Sequence, residues 1–352
     1  MSFETNDRKL DHIRIVHEDA ETDRRHYYFD DIGLMHRCLP ELSLEQIDGS
    51  TVFLEKPLTF PLLISCMTGG DHDAVVRINR NLATAAEAAG VAMGVGSQRV
   101  MLESPAARQS FMLREVAPTI PLIANIGAVQ LNYGLSLDMC NDIVGTLGAD
   151  ALCFHLNPLQ ECAQAEGDTD FRGLLDRLGE LTGRLDVPVI VKEVGAGISE
   201  RDATELVLRG IRYIDVAGAG GTSWSRIEEQ RDGEGVTGHV GEVFQDWGIP
   251  TPEALAALWK FRDEVTLIAS GGIRSGLDML KASVLGASLS GMARPFLKPA
   301  QESTEAVGRL IDALKRQYRT GMFLLGAATV DEIRGNHDLI RPASRSGWRR
   351  YL

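Results

Sequence analysis

The sequence predicts an α/β fold, a (β/α)₈ TIM barrel, from three observations. From Pro61 onward, short apolar runs alternate with helix-like stretches, as expected for βα units that build a parallel sheet. Eight runs of each kind occur, and eight strands close a barrel. The last two strand candidates each end in a loop of small residues that carries an arginine.

The predicted strands are apolar runs at 61–66, 91–95, 121–125, 150–154, 187–192, 212–217, 265–270 and 287–291. The predicted helices lie between them, at 73–89, 105–116, 135–147, 170–184, 199–209, 252–262, 275–285 and 301–319. Ser199-Glu200 and Thr251-Pro252-Glu253 are typical of helix N-termini, because a hydroxyl can accept from the first amides and proline suits the first turn.

Three regions follow from this pattern. Residues 1–60 are predicted to be an N-terminal extension that contributes substrate-binding residues, 61–325 the barrel, and 326–352 a C-terminal tail. The polar stretch 225–250 is the longest gap, and we expect a loop after strand 6 that acts as a lid or a mobile insertion. The arginine-rich end, 341–352, is expected to contact a neighbouring subunit, in a homo-oligomer that we predict to be a tetramer or an octamer.

The composition restricts the partners. At 352 residues, with 44% hydrophobic and 24% charged residues, the chain could form two average domains or one large barrel with extensions. The formal charge of −13 disfavours nucleic acid and anionic membranes, so an anionic substrate needs locally clustered cations. No apolar run approaches the roughly 20 residues that span a membrane, and the polar N-terminus does not resemble a secretory signal.

The cysteines indicate a reducing compartment. Cys38, Cys66, Cys140, Cys153 and Cys162 are odd in number and show no CxxC spacing. We therefore expect reduced thiols, no structural zinc and a cytoplasmic location.

The two last strand ends predict a phosphate site. Val265–Ser270 leads into the glycine-rich loop 271–276, and Ala287–Ser290 leads into Gly291–Pro295. Loops without bulky side chains let backbone N–H groups close on a phosphate, and a following helix N-terminus adds a positive field. In a barrel, such a site lies in the loops after strands 7 and 8.

The other strand ends carry polar side chains, and the active site of a parallel barrel is built at these ends. They read Met67-Thr68-Gly69-Gly70, Gly96-Ser97-Gln98-Arg99, Asn125-Ile126-Gly127, His155-Leu156-Asn157 with Gln160-Glu161, Lys192-Glu193-Val194-Gly195 and Gly218 through Trp224. Amides, hydroxyls, a histidine and a lysine recur at one end, which predicts a single polar site there.

Several of these residues have two interpretations. Lys192 faces an electron-rich ring or a phosphate, or else forms a structural ion pair with Glu193 or Glu161, because a buried ammonium needs an anionic partner. Asn125 caps a turn or pairs with the edge of a heterocycle. His155 is a core histidine or part of the polar cluster.

Three further groups remain open in the same way. Glu161 is a solvated carboxylate or a ligand of Mg²⁺, which prefers one or two carboxylates together with substrate phosphate oxygens. Arg8 and Lys9 belong to a disordered charged arm or, with Arg99, supply the cations that a diphosphate requires. Trp224 anchors a lid or forms a wall of the pocket.

These stretches together resemble the type 2 isopentenyl-diphosphate isomerases, the FMN-dependent class. The matching pieces are the strand ends given above, together with Arg8-Lys9 and His12, Gly271-Gly272-Ile273-Arg274 and Ala293-Arg294. They cover most of the chain, and HLNxxQE joined to GAGGTSW is the most specific combination. Cys66 departs from the family, which commonly has a smaller residue there.

The resemblance implies a complete set of site residues. FMN would contact Cys66, Met67, Thr68, Gly69, Ser97, Asn125, Lys192 and Thr222 with its ring, and Gly272, Ile273, Arg274, Ala293 and Arg294 with its phosphate. The substrate diphosphate would be held by Arg8, Lys9, Ser97, Gln98 and Arg99, with His155, Asn157 and Gln160 nearby. Glu161 would hold Mg²⁺, and Gln160 would stand at the reacting carbons as the catalytic residue.

The resemblance also implies the reaction. A double bond would move between isopentenyl and dimethylallyl diphosphate on reduced FMN, with NADPH needed only to prime the flavin. The first alternative is an FMN barrel that oxidises a 2-hydroxy acid, although Gly220-Gly221-Thr222-Ser223 lacks the histidine and arginine expected at that strand end. The second is a flavin-binding regulatory protein, for which Gln160 and Glu161 would be superfluous.

Overall fold

A computed structural model describes residues 11–232, 238–342 and 344. A short antiparallel hairpin, β1 (Thr51–Phe53) and β2 (Lys56–Leu58), precedes the sheet. The sheet strands are β3 (Leu62–Ile64), β4 (Ala92–Gly94), β5 (Leu122–Gly127), β6 (Ala151–Leu156), β7 (Val189–Glu193), β8 (Tyr213–Asp215), β9 (Thr266–Ser270) and β10 (Leu289–Met292). They are all parallel, and β10 pairs with β3 to close the barrel. The predicted fold class and its eight strands are confirmed.

Helices surround the barrel. Residues 11–18 are helical and we call them α1. The other α-helices are α2 (Asp73–Ala89), α3 (Arg99–Glu103), α4 (Leu137–Leu147), α5 (Pro158–Ala163), α6 (Leu174–Thr182), α7 (Glu200–Leu208), α8 (Trp224–Asp232), α9 (Val240–Val243), α10 (Thr251–Leu258), α11 (Gly276–Val284), α12 (Arg294–Glu302), α13 (Thr304–Leu325) and α14 (Val330–Ile333). Among the described residues, no helix combines the length and apolar character needed to cross a bilayer.

Two predicted helices were wrong in detail. The stretch 105–116 contains a 3₁₀ helix, Pro105–Phe111, in which the Ser110 hydroxyl donates to the Ala107 carbonyl instead of leaving it to a regular turn. The stretch 301–319 straddles two helices. Ser303 is extended, and its hydroxyl caps α13 by accepting from the Ala306 amide at 3.2 Å.

The stretch 225–250 is more ordered than a polar loop. α8 follows directly after β8 and its loop, and α9 packs against it. The two serines at the start of α8 bond to each other at 3.1 Å, and Ser225 also donates to the Gly241 carbonyl at 3.2 Å. Residues 233–237, at the centre of the predicted lid, lie outside the described residues, as does most of the predicted tail contact at 341–352.

The barrel interior is apolar at one end and polar at the other. Buried side chains fill its lower part: Leu63, Ala92, Ile123, Ala151, Cys153, Ile190, Ile268 and Leu289. Phe53 and Leu58 of the hairpin pack into the same cluster and close that end. Side chains two positions apart on a strand point to the same face. The residues two positions after this layer therefore also point into the barrel, but they lie nearer its open end.

The segment after α1 is attached to the open end by backbone hydrogen bonds. The Ser223 amide donates to the Thr22 carbonyl at 2.8 Å, and the Arg24 amide donates to the Gly221 carbonyl at 3.0 Å. The Arg24 guanidinium is buried and donates to the backbone carbonyls of Gly195, Gln245 and Trp247. The N-terminal extension therefore forms one wall at the open end of the barrel.

Candidate active site at the barrel mouth

A cavity of about 260 Å³ opens at the carboxyl ends of the strands. It brings together most of the predicted site residues: Cys66, Met67, Thr68, Ser97, Arg99, Asn125, His155, Asn157, Gln160, Glu161, Lys192, Thr222, Gly272, Ile273, Arg274, Ala293 and Arg294. Gln98 and Gly69 do not line it. Arg8 and Lys9 lie outside the described residues.

Gln98 has a different position from the one expected. Its side chain is fully buried. The side-chain NH₂ group donates to the Ile143 carbonyl at 3.1 Å, and the side-chain oxygen accepts from the backbone N–H of Asn125 at 3.2 Å. The residue therefore supports Asn125 from behind and does not face a ligand. Gly69 packs under a ring, since a Cβ there would lie 2.1 Å from Phe111.

The loops after β9 and β10 form a cradle of backbone. Gly271 and Gly272 have φ of 92° and 75°, angles that favour glycine. A Cβ on Gly272 would lie 2.8 Å from the Gly220 backbone, so the loops after β8 and β9 can approach this closely only without side chains. α12 begins at Arg294 without a side-chain cap. Pro295 has no N–H and the Phe296 amide donates to the Ala293 carbonyl at 2.9 Å, so this helix end offers an anion chiefly its positive field.

The two arginines of this cradle also hold the extension. Arg294 donates to the Thr22 hydroxyl at 2.9 Å and to the Val16 carbonyl at 3.2 Å. Arg274 pairs with Asp30 at 2.6 Å and lies 3.9 Å from the centre of the Tyr27 ring. The cradle therefore combines backbone amides with two guanidinium groups, the donor set that suits a phosphate.

Lys192 pairs with neither of the carboxylates considered from the sequence. Its ammonium lies 3.1 Å from Asp215 and donates to the Ser270 hydroxyl at 3.1 Å. Glu193 turns away, and one of its oxygens accepts from the backbone amides of the loop that follows, including Val194 and Gly195 at 2.6 Å. Burial raises the pKa of Glu193, and these amides oppose the rise.

Asn125 and His155 form one unit. The His155 Nδ1 and the Asn125 Oδ1 are 2.9 Å apart, so the ring presents its other nitrogen elsewhere. The Asn125 amide group donates to the Val95 carbonyl at 3.2 Å. His155 is therefore part of the polar cluster, as one of the two interpretations predicted.

Gln160 is held by a carboxylate that sequence reasoning missed. Its amide group donates to Glu228 of α8 at 2.6 Å. Glu228 is fully buried and also contacts His12 at 3.1 Å and Arg231 at 3.0 Å. Burial raises the pKa of Glu228, but the charge and hydrogen bonds of its partners outweigh burial and lower it to about 2.

Glu161 is buried and tied to its own loop. It accepts from the Asn157 amide group and from the Asp168 backbone amide, both at 2.7 Å. Asp168 in turn pairs with Arg99 at 2.8 Å. No cluster of three histidine, cysteine or acidic side chains with metal-binding geometry occurs in the described part of the chain.

Three cavity atoms fit a polar ring. The hydroxyls of Ser65 and Thr68 and the Asn157 Oδ1 are buried and make no hydrogen bond within the described structure. Buried polar groups normally have partners, so unsatisfied donors and acceptors along one cavity point to a ligand with polar edges. Together with the phosphate cradle, this donor set fits FMN.

The missed residues lie in recognisable positions. Asp215 is two residues after Tyr213 on β8 and therefore faces the same interior, where Tyr213 packs with the barrel cluster. Glu228 is four residues after Trp224 and lies on the same face of a helix. The four-residue spacing of Trp224 and Glu228 carries this information only if the segment is helical, so the prediction of a loop over 225–250 concealed it.

Comparisons with known proteins agree with this geometry. Residues 156–341 match the family described as FMN-dependent dehydrogenase. An isopentenyl-diphosphate delta-isomerase of Paracoccus zeaxanthinifaciens is 52% identical over 95% of this chain and 97% of its own. One of Hydrogenovibrio crunogenus is 49% identical over 95% of this chain and 98% of its own.

The fold comparison reaches more distant flavoproteins. The flavin-binding domain of baker's yeast flavocytochrome b2 has a TM-score of 0.66 at 18% identity, covering 92% of this chain and 79% of that one. This likeness concerns the fold alone. The sequence matches decide the family: the chain belongs to the FMN-dependent dehydrogenase family and, within it, to the isopentenyl-diphosphate delta-isomerases.

Proposed function

We propose that the cavity interconverts isopentenyl and dimethylallyl diphosphate, with FMN in the reduced state, Mg²⁺ beside the diphosphate and NADPH as the priming reductant. Reduced FMN, when bound, supplies a proton and negative charge near the reacting carbons without net redox change. The observation that carries the proposal is the division of one cavity into a phosphate cradle on β9 and β10 and a separate polar wall around Gln160.

The polar wall suits the substrate. Arg99 lines the cavity at the end of β4, away from the cradle loops, and its pairing with Asp168 and Glu103 holds the guanidinium in place there. We assign it to the diphosphate, together with Arg8 and Lys9. Glu161 and Asp168 lie close by and would share Mg²⁺ with the phosphate oxygens.

The reacting carbons need a surface that stabilises positive charge and excludes water. Trp224 and His12 both line the cavity, with ring centres 5.3 Å apart in an edge-on arrangement. An indole face stabilises developing positive charge and excludes water. Gln160 also lines the cavity, and its amide group donates to Glu228, which lies on the same helix as Trp224.

Spectra and turnover would test the proposal together. We expect the purified protein to be yellow, and isopentenyl diphosphate turnover to appear only after dithionite or NADPH reduction, in the presence of Mg²⁺. Turnover by fully oxidised enzyme would contradict the role of the reduced flavin. Consumption of oxygen with a 2-hydroxy acid, without isomerisation, would favour the oxidoreductase alternative.

The proposal includes a cytoplasmic homo-oligomer. Met35, Leu39 and Leu324 are large apolar side chains that are 43%, 69% and 41% exposed. The Arg37 amide donates to the Leu324 carbonyl at 3.0 Å, so these residues belong to one region. Light scattering of the purified protein would measure the number of subunits, and cell fractionation would test the location.

A further inference from the structure

A buried ion pair lies directly below the cavity. The Lys192 ammonium is 3.1 Å from one Asp215 oxygen and donates to the Ser270 hydroxyl at 3.1 Å. The same hydroxyl donates to the other Asp215 oxygen at 2.7 Å. The three side chains thus form a closed triangle contributed by β7, β8 and β9.

The triangle has a direction. The Lys192 side chain is 11% exposed and lines the cavity, while the Asp215 side chain is 2% exposed and does not. The cation therefore faces the cavity, and the anion lies behind it. In the described structure, Asp215 and Ser270 accept two of the three ammonium N–H groups, so the third is available to a ligand.

Stability alone is a weak reason for such a pair. Removing two charges from water costs about as much as the pair regains, and apolar residues of similar volume are often as stable. The barrel layer directly below is apolar, with Ile190 and Ile268 two positions earlier on the interior face of β7 and β9. A charged layer only at the mouth points to a function there.

We propose that Asp215 is a positioning residue that, with Ser270, fixes the Lys192 ammonium in its charged form so that it donates to the ring system of FMN. The inference rests on the proposed placement of the ring beside Lys192. It adds a residue that makes no contact with the cavity and acts only through the lysine.

The surroundings of Lys192 make its charge depend on Asp215. Burial lowers the pKa of Lys192, but Asp215 and the thiols of Cys66 and Cys153 oppose burial and leave it raised. The other ionisable neighbours are Glu193, next in the chain, and His155, the register partner of Lys192 on β6. Glu193 is engaged by its own loop and His155 by Asn125, so Asp215 is the carboxylate in direct contact.

The test measures FMN affinity against pH in reconstituted full-length protein. Between about pH 6 and about pH 9, below the usual lysine pKa, wild-type affinity should be nearly constant. In Asp215→Asn, affinity should weaken as pH rises, by roughly tenfold or more, because a lysine that loses its proton also loses a charge-assisted bond. The midpoint potential should fall relative to wild type over the same range, since a cation stabilises reduced flavin.

Further variants separate the explanations. Lys192→Met should weaken FMN binding at every pH, and the double variant Lys192→Met/Asp215→Asn should match it, because Asp215 acts through the lysine. Asp150→Asn is the matched control, since Asp150 pairs with Lys56 and Arg114 elsewhere in the chain. If Asp215→Asn does not fold, Ser270→Ala decides, with a smaller shift in the same direction.

Failures of the two proposals look different. Normal FMN binding by Lys192→Met would contradict the placement of the ring. A large effect of Lys192→Met, with wild-type pH dependence and potential in folded Asp215→Asn or Ser270→Ala, would leave the placement intact and overturn the role of Asp215.

Discussion

The two sides of the cavity are built by different means. The side formed by β9 and β10 uses backbone: positive-φ glycines and the uncapped start of α12. The side formed by α5 and α8 uses side chains that hold each other: Gln160 donates to Glu228, and Glu228 pairs with His12. The backbone side fits one rigid group, a phosphate. The side-chain side can adjust its hydrogen bonds while a substrate reacts.

The comparison predicts that single substitutions have unequal consequences on the two sides. A glycine whose neighbour is another backbone cannot be replaced without moving a loop. A side chain in a network can be removed while its neighbours find water or one another. Substitutions on each side of the cavity test this difference.

Gly272→Asp should abolish FMN retention. A Cβ would meet the Gly220 backbone at 2.8 Å, and the carboxylate would stand where the phosphate is expected. Absorbance of the purified variant would measure retained flavin.

Gly272→Ala separates the steric effect from the charge. Gly145→Asp is the control, because Gly145 is exposed on a helix and an added Cβ there would meet no atom within 4 Å. Full FMN occupancy in Gly272→Asp would refute the phosphate placement.

The same difference explains what could be predicted from the sequence. The cradle was predictable because left-handed backbone conformations favour glycine, so a glycine-rich loop such as 271–274 can be interpreted without knowing its neighbours. The strand ends were predictable because a parallel barrel brings them together. Partners of buried charges were not, because Lys192 lies beside Glu193 in sequence but contacts Asp215 from the next strand.

Gln98 shows the converse error. It lies between two cavity residues, Ser97 and Arg99, and its position in the motif predicts that it binds substrate. The chain begins a helix at Arg99, and the direction of the side chain changes there. Gln98 therefore points into the core, toward α4.

Gln160→Ala should lower kcat by roughly a hundredfold and change KM less, because a group acting mainly in the transition state affects the chemical step. Flavin reduction should remain normal. Steady-state kinetics, with the flavin spectrum as control, would measure this. A normal kcat would reduce Gln160 to a packing residue and leave proton transfer to the flavin.

Arg99→Ala should raise KM for the diphosphate roughly tenfold or more, since a charge-assisted contact contributes about 1.5–3 kcal/mol. FMN affinity should not change. Arg108→Ala is a suitable control, because that arginine pairs with Asp142 and does not line the cavity. Weakened FMN binding with unchanged KM would reverse the assignment of the two cationic sides.

Glu161→Gln should raise the Mg²⁺ concentration needed for half-maximal turnover several-fold, because the site binds the metal more weakly. The amide keeps the size of the side chain and can still accept from Asn157, but it carries no charge for a hard cation. A Mg²⁺ titration of the activity would measure the effect, with the flavin spectrum expected to remain that of wild type. An unchanged titration curve would place the metal elsewhere.

The last prediction concerns stability in acid, and it tests the network on the side-chain side. The pKa of Glu228 is about 2 in the folded protein and 4.5 in its ordinary state. A lowered carboxyl pKa stabilises the fold above about pH 4.5, and this contribution is lost as pH falls from there to about pH 2. Glu228→Gln should therefore be less stable than wild type at neutral pH, and the difference should shrink toward the acid end.

Urea unfolding at several pH values would measure this contribution. His12→Asn provides the matched test, because losing the histidine charge should raise the Glu228 pKa and move the acid-sensitive range upward. If Glu228→Gln and wild type lost stability in parallel over the whole acid range, the charge of Glu228 would contribute nothing to the fold. The network around Gln160 would then serve the reaction alone, and the contrast between a rigid backbone side and an adjustable side-chain side would become sharper.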